Sequence, residues 1–274
     1  MKQRLAGLCA EVSFPERNKF TVPLLLVHGL WAGSWMWRTI APALALRGWE
    51  CWALDLRGRP DSRPAPRIGR VRLEDYVEDV STAIRQLWAP PVVWGTDLGA
   101  LLVLQSAVQF PPRAIVCSTP LLPRSWLPDA RPPLPLVRLP ALPALLWSRP
   151  LAPPRPGIAR EFLFSGLAAN LQAELGRQLI PDSGRVARTL SREAVAPVRP
   201  DCPTLVVHGG ADRMVAPAAC QALVRELGAD QHTYPDLGHW LYSGPPALSL
   251  VGDVHRWIIR TLGEPLLVPP EEED

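Results

Sequence analysis

A mainly parallel β-sheet with helices on both faces is the fold this sequence predicts, and three observations predict it. Strand-like runs recur along the 274 residues at Leu24 to His28, Cys51 to Leu56, Pro91 to Thr96, Arg113 to Thr119, Thr204 to Gly209 and Gln231 to Tyr234. Helical patterns lie between them, clearest at Leu73, Tyr76, Val77, Val80, Ile84 and Leu87, whose spacing of three and four puts them on one face. Several of the runs end in glycine-containing turns. Strands alternating with amphipathic helices pair in parallel and are covered on both sides. Sheets of this kind bind ligands at the carboxyl ends of their strands.

The first run ends in His28-Gly29-Leu30-Trp31-Ala32-Gly33-Ser34-Trp35, where glycines let the backbone turn with its N–H groups exposed. The third runs into Gly95-Thr96-Asp97-Leu98-Gly99, and a new apolar run starts at once. This is the layout of a nucleophile elbow, in which two glycines let a strand turn sharply into a helix and push the middle side chain out over the sheet. Serine is the usual middle residue. A carboxylate there is a weak acyl nucleophile, but it can displace a leaving group from saturated carbon and form an ester with the enzyme. Leu30 and Leu98 N–H are the candidate oxyanion donors. Asp212 follows Val206-Val207-His208-Gly209-Gly210-Ala211, and His239 lies in Asp236-Leu237-Gly238-His239-Trp240 after the last run.

Alternation fails between about 120 and 198. Residues 120–156 are crowded with proline, leucine and arginine, and 158–195 read as short helices containing Phe162, Phe164, Leu167, Leu171, Leu175 and Leu179. A segment this long inside one domain reads as a lid, stiffened by proline. The expected organisation is a core of 1–119 and 199–268, a lid of 120–198, and a disordered acidic tail at 269–274.

Apolar residues make up 47% and charged residues 20%, and 29 basic against 26 acidic side chains are spread without a basic run. Nothing recommends a nucleic acid or a charged membrane surface as partner. The five cysteines lack paired spacing and read as buried thiols. No apolar run approaches a membrane span, and the N-terminus is a poor signal peptide because Glu11 interrupts it, so the expected setting is reducing and cytoplasmic. No metal-ligand spacing or dinucleotide fingerprint occurs, and no cofactor is expected.

Taken in order, the His-Gly strand end, the elbow, the Gly-x-x-Asp loop and the Gly-His loop resemble the α/β-hydrolase superfamily over about residues 22–262. Arg57-Gly58-Arg59-Pro60-Asp61-Ser62 is similar to its Arg-Gly-x-Gly-x-Ser loop, with Pro60 and Asp61 departing. Within that superfamily an aspartate elbow followed by Leu-Gly-Ala resembles epoxide hydrolases and haloalkane dehalogenases, whereas Trp31 stands where those families usually have proline and is more like serine esterases. The resemblance implies Asp97 as nucleophile, Asp212 as the acid orienting His239, and His239 as base. It also implies lid tyrosines for opening epoxides, yet Tyr76, Tyr234 and Tyr242 all lie outside 120–198. Indole donors that hold a halide would come from Trp31, Trp126 and Trp147, and Phe162 and Phe164 would line an apolar cavity.

The resulting expectation is a hydrolase that acts on a hydrophobic small molecule, an epoxide, alkyl halide or strained lactone, through an alkyl-enzyme ester. The alternative is a catalytically silent or non-hydrolytic member that binds or cyclises a hydrophobic metabolite. In that case Asp97 would only cap the following helix. Asp212 could likewise cap the helix starting near Pro217.

Overall fold

The computed structural model describes residues 1–126, 141–193, 195–196, 198–263 and 266–267. An amino-terminal hairpin, β1 (Lys2–Leu5) and β2 (Leu8–Ser13), is followed by β3 (Leu24–Val27), β4 (Cys51–Asp55), β5 (Val92–Thr96) and β6 (Ala114–Ser118). A two-residue pair, β7 (Pro150–Leu151) with β8 (Asp182–Ser183), belongs to the excursion after β6, and β9 (Thr204–Gly209) and β10 (Asp230–Tyr234) complete the main sheet. The main sheet has eight strands in the order β1-β2-β4-β3-β5-β6-β9-β10. Six of them, β4 through β10 in that order, are parallel, and the hairpin adds antiparallel strands at one edge.

The expected strand runs are all strands, while the hairpin was not anticipated. Its tight turn rests on Ala6 (φ 57°) and Gly7 (φ 75°), left-handed values that suit a two-residue connection. β3, β5 and β6 are buried along their whole length, which is why they read as continuous apolar runs rather than alternating ones.

Helices α1 (Ile40–Ala45), α2 (Leu73–Gln86) and α3 (Leu98–Ser106) connect these strands. The step β3–α1–β4 runs one way across the sheet, and β4–α2–β5 and β5–α3–β6 run the other. Right-handed crossovers therefore put α1 on one face and α2 and α3 on the opposite face. In accord, α2 packs on α3, and α1 packs on the carboxyl-terminal helix. Strand order reverses between β3 and β5, so the crevice at their carboxyl ends is where a ligand should sit. His28-Gly29-Leu30 and Asp97 occupy those ends.

The excursion contains α4 (Leu142–Trp147), a single π-helical turn (Ala159–Leu163), α5 (Ala169–Gln178) and α6 (Gly184–Arg192). Beyond it, α7 (Pro217–Leu227) links β9 to β10, and α8 (Gly244–Leu262) closes the chain onto α1. The acidic tail at 269–274 lies outside the described residues. All five cysteines are free. Among the described residues, no helix is long and apolar enough to cross a membrane.

Candidate active site

Asp97 sits between β5 and α3 with φ 52° and ψ −121°, a left-handed conformation that a non-glycine residue adopts at a cost of about 1–3 kcal/mol. Its backbone is pinned on both sides. Asp97 N–H donates to Ser118 O at 3.0 Å, and its carbonyl accepts from Leu121 N–H at 3.1 Å. The flanking glycines are required by close approach, since a side chain on Gly95 would strike the α3 backbone and one on Gly99 would strike Val27 and His28. The strained turn aims the carboxylate at β3. There Gly29 leaves it room, because a Cβ at that position would stand 2.7 Å from Asp97 Oδ2.

The two carboxylate oxygens differ. Oδ2 accepts from Leu30 N–H at 3.0 Å, and Oδ1 is buried without a hydrogen-bond partner among the described residues. Asp97 is the residue that caps α3, but its side chain makes no capping hydrogen bond to the helix. Leu98 N–H, at the first position of α3, belongs to the donors that a helix leaves without an internal acceptor. Burial pushes the Asp97 carboxyl up to about 6, against the pull of His239 and of Leu30 N–H toward the charged form.

Asp212 and His239 meet at the neighbouring strand ends. His239 Nδ1 lies 2.9 Å from Asp212 Oδ2, and Asp212 Oδ1 accepts from Met214 N–H at 2.7 Å and Val215 N–H at 2.9 Å. Asp212 thus closes its own turn and holds the imidazole instead of capping α7, whose cap residue is Ala216. Burial disfavours the imidazolium, yet the Asp212 carboxylate, through charge and hydrogen bond, together with Asp97 raises His239 above its ordinary value. His208 is a core histidine, buried, with Nε2 beside Gln231 and Thr233.

Asp97 and His239 share one cavity with Leu30, Ala32, Met36, Thr96, Leu163, Leu179, Trp240 and Tyr242. It encloses about 20 Å³, room for about one water. The residues expected to contact substrate are placed elsewhere. Trp31 is buried and its indole N–H is spent on Leu151 O at 3.2 Å. Trp126 N–H likewise goes to Val195 O at 2.9 Å, and Trp147 is 65% exposed at the end of α4. Phe162 turns its ring under the Arg213 guanidinium, and Phe164 packs edge-on against Trp240 at 5.1 Å. Their neighbours Leu163 and Leu179 line the cavity instead.

Tyr242 was outside the expected set and is the one tyrosine on this cavity wall. Its hydroxyl bonds to Thr96 Oγ1 and, at 3.2 Å, to Thr119 Oγ1. Tyr76 and Tyr234 are engaged with Asp182 and Asp253.

A nucleophile-position acid, an orienting acid and a histidine, in that chain order on this strand order, define one fold. The profile described as the alpha/beta hydrolase family matches residues 24–248. The chain belongs to that family. Relatives in that family cover more than one activity. It is 33% identical over 104 residues to a protein named bifunctional epoxide hydrolase 2 from Rattus norvegicus, a match covering 36% of this chain and 19% of that protein. The chain thus spans about a fifth of the length of the epoxide hydrolases it matches. It is 25% identical to the monoacylglycerol lipase of Mycolicibacterium smegmatis, covering 87% of this chain and 88% of that one. A crystal structure of a putative aryl esterase from Burkholderia cenocepacia superposes with a TM-score of 0.70 at 18% identity, covering 96% and 99% of the two chains, a likeness of fold alone.

Proposed function

We propose that this protein is a hydrolase that uses Asp97 as a nucleophile toward saturated carbon, forming and then hydrolysing an alkyl-enzyme ester. The observation that carries the reading is the division of labour within the carboxylate. Leu30 N–H holds Oδ2, and Oδ1 is buried with no hydrogen-bond partner among the described residues, on a side chain that lines the same cavity as His239. An oxygen without a hydrogen-bond partner is the more nucleophilic of the two, because no donor must be given up when it attacks.

In the first half-reaction Oδ1 attacks carbon, the C–O bond forms, and the leaving group departs with the electron pair of the bond that breaks. In the second, His239 takes a proton from water, and the hydroxide oxygen adds to the Asp97 carbonyl carbon. Leu30 and Leu98 N–H stabilise the resulting oxyanion. Collapse breaks the ester, the alkoxide takes the proton back from His239, and the alcohol leaves. The charges time these steps. Before attack, ionised Asp97 favours a protonated His239; once Asp97 is a neutral ester that influence is gone and the imidazole is freer to act as base.

A halide departs without needing a proton. Two of the three indole donors expected for it, Trp31 and Trp126, are committed elsewhere, and the Tyr242 hydroxyl on the cavity wall is itself bonded to Thr96 and Thr119. The excursion serves as a lid, and a hydrophobic substrate enters only when Leu163 and Leu179 move. Trapping tests the reading: His239→Gln incubated with a set of small alkyl halides, epoxides and lactones should gain the mass of an adduct on the peptide containing residues 91–100. Absence of an adduct from every probe that the wild type turns over would overturn it.

A further inference from the structure

Trp31 follows the oxyanion donor Leu30 and has φ 60°, a left-handed conformation that a bulky residue holds only when its surroundings impose it. Proline, fixed near φ −65°, is excluded from this turn. Three hydrogen bonds impose the conformation, and all come from the lid. Asp182 Oδ2 accepts Trp31 N–H at 3.1 Å, Ile180 N–H donates to Trp31 O at 2.9 Å, and Leu151 O accepts the indole N–H at 3.2 Å.

Asp182 is itself held from the core. It is fully buried, and besides Trp31 N–H it accepts from Arg59 Nη2 at 2.6 Å, Tyr76 OH at 2.8 Å and its neighbour Ser183 N–H at 2.7 Å. Arg59, only 3% exposed, also donates through Nε to Ala32 O at 2.6 Å, at the far end of the same turn. A buried ion pair of this kind is a poor device for stability, because desolvating both ions offsets most of their attraction, so a specific geometric role is the better reason for it. Of the polar groups around it, Trp31 N–H and Ala32 O belong to the turn that carries Leu30, Ser183 N–H to the excursion and Tyr76 OH to α2.

We propose that Asp182, locked by Arg59, is a positioning residue: through Trp31 N–H it fixes the turn whose Leu30 N–H holds Asp97 Oδ2, so that docking of the lid assembles the oxyanion site. The effect on ester hydrolysis rests on the aspartate-nucleophile reading. The effect on Leu30 does not.

The test follows the Leu30 amide by NMR in the isotopically labelled full chain. In the wild type its shift should titrate with Asp97 near pH 6. Asp97→Asn should abolish that titration whether or not Asp97 is a nucleophile, which separates this proposal from the reaction. The double variant Arg59→Met, Asp182→Leu removes both charges together, so that neither is left buried alone. It should lose at least about half of the Leu30 titration amplitude and slow hydrolysis of a trapped ester about tenfold or more, in line with weakening one oxyanion donor. A folded double variant with the wild-type Leu30 titration overturns the proposal. Should the variant not fold, hydrogen exchange of the wild type decides. Leu30, Trp31 and Ile180 amides should open together, faster than Trp94 in β5. Leu30 protected like Trp94 while Ile180 exchanges at least tenfold faster would contradict it.

Discussion

Two buried aspartates face His239 from neighbouring loops, and their surroundings are opposite. Asp212 spends both oxygens, with two N–H groups on Oδ1 and the imidazole on Oδ2. Asp97 spends one oxygen on Leu30 N–H and has no partner for the other among the described residues, in a backbone conformation that is strained and with a carboxyl that burial pushes up to about 6. A carboxylate that only orients a histidine gains from being fully satisfied. One that must form a bond to carbon is worth leaving unsatisfied, at a cost to stability, because the bond then replaces nothing.

The largest effect expected from this contrast is at Asp97. Asp97→Asn should lower turnover by on the order of 10⁴-fold or more, as loss of an enzyme's nucleophile does. The same change should stabilise the fold. A carboxylate titrating near 6 in place of 3.8 costs about 3 kcal/mol at neutral pH, so the variant should melt higher. The sign can be checked by pH. A raised carboxyl favours the folded state while protonated and loses that contribution as pH rises through about 6, so the gap between variant and wild type should be full above pH 6 and close toward pH 4. Thermal melts across that range measure it. An Asp97→Asn protein less stable than wild type at pH 7 would remove the contrast.

Next in size is Asp212→Asn, which breaks the orienting contact and leaves the elbow intact. Ester hydrolysis should slow by about 10²–10⁴-fold while ester formation changes far less. Rapid-quench mass spectrometry separates the two steps, and equal loss in both would mean that Asp212 also supports the attack. Gly29→Ala comes third. Its Cβ would meet Asp97 Cβ at 2.6 Å and push the carboxylate off Leu30 N–H, for an expected loss of about 10- to 100-fold from misplacement alone. The smallest effect is that of pH on the wild type. The rate of ester formation should fall about tenfold per unit once pH drops below about 6, as Asp97 takes up a proton.

The part of this site carried by strand ends was legible in the sequence. Asp97, Asp212 and His239 each stand in or just after a glycine-containing turn at the end of a strand-like run, and a parallel sheet gathers such positions in one place whatever lies between them. The excursion between β6 and β9 was legible as a break in the alternation of strands and helices but not in its contacts. Phe162 and Phe164 flank Leu163, and which of the three faces Asp97 depends on the π-helical turn at Ala159–Leu163, which shifts the face by part of a turn relative to an α-helix. Trp31, Trp126 and Trp147 have the right chemistry to hold an anion. Two of their N–H groups are taken by carbonyls distant in sequence, and no local pattern reveals that. Asp182 stands in Leu179-Ile180-Pro181-Asp182-Ser183 without any motif, and its partner Arg59 lies 123 residues away. The amino-terminal hairpin had a readable signal in Ala6-Gly7 between two short runs, but Glu11 on β2 made the second run look broken.

If Asp97 is the nucleophile, one of its oxygens becomes an oxygen of the product. A single turnover in heavy-oxygen water measures this directly, with enzyme in excess over a probe that it consumes. If Asp97 attacks carbon and water attacks the ester carbonyl, the first alcohol released carries ordinary oxygen, and the heavy isotope appears in the Asp97 carboxylate on the peptide containing residues 91–100. If the first alcohol carries the heavy isotope and Asp97 remains unlabelled, water attacks the substrate itself, and Asp97 is a base rather than a nucleophile.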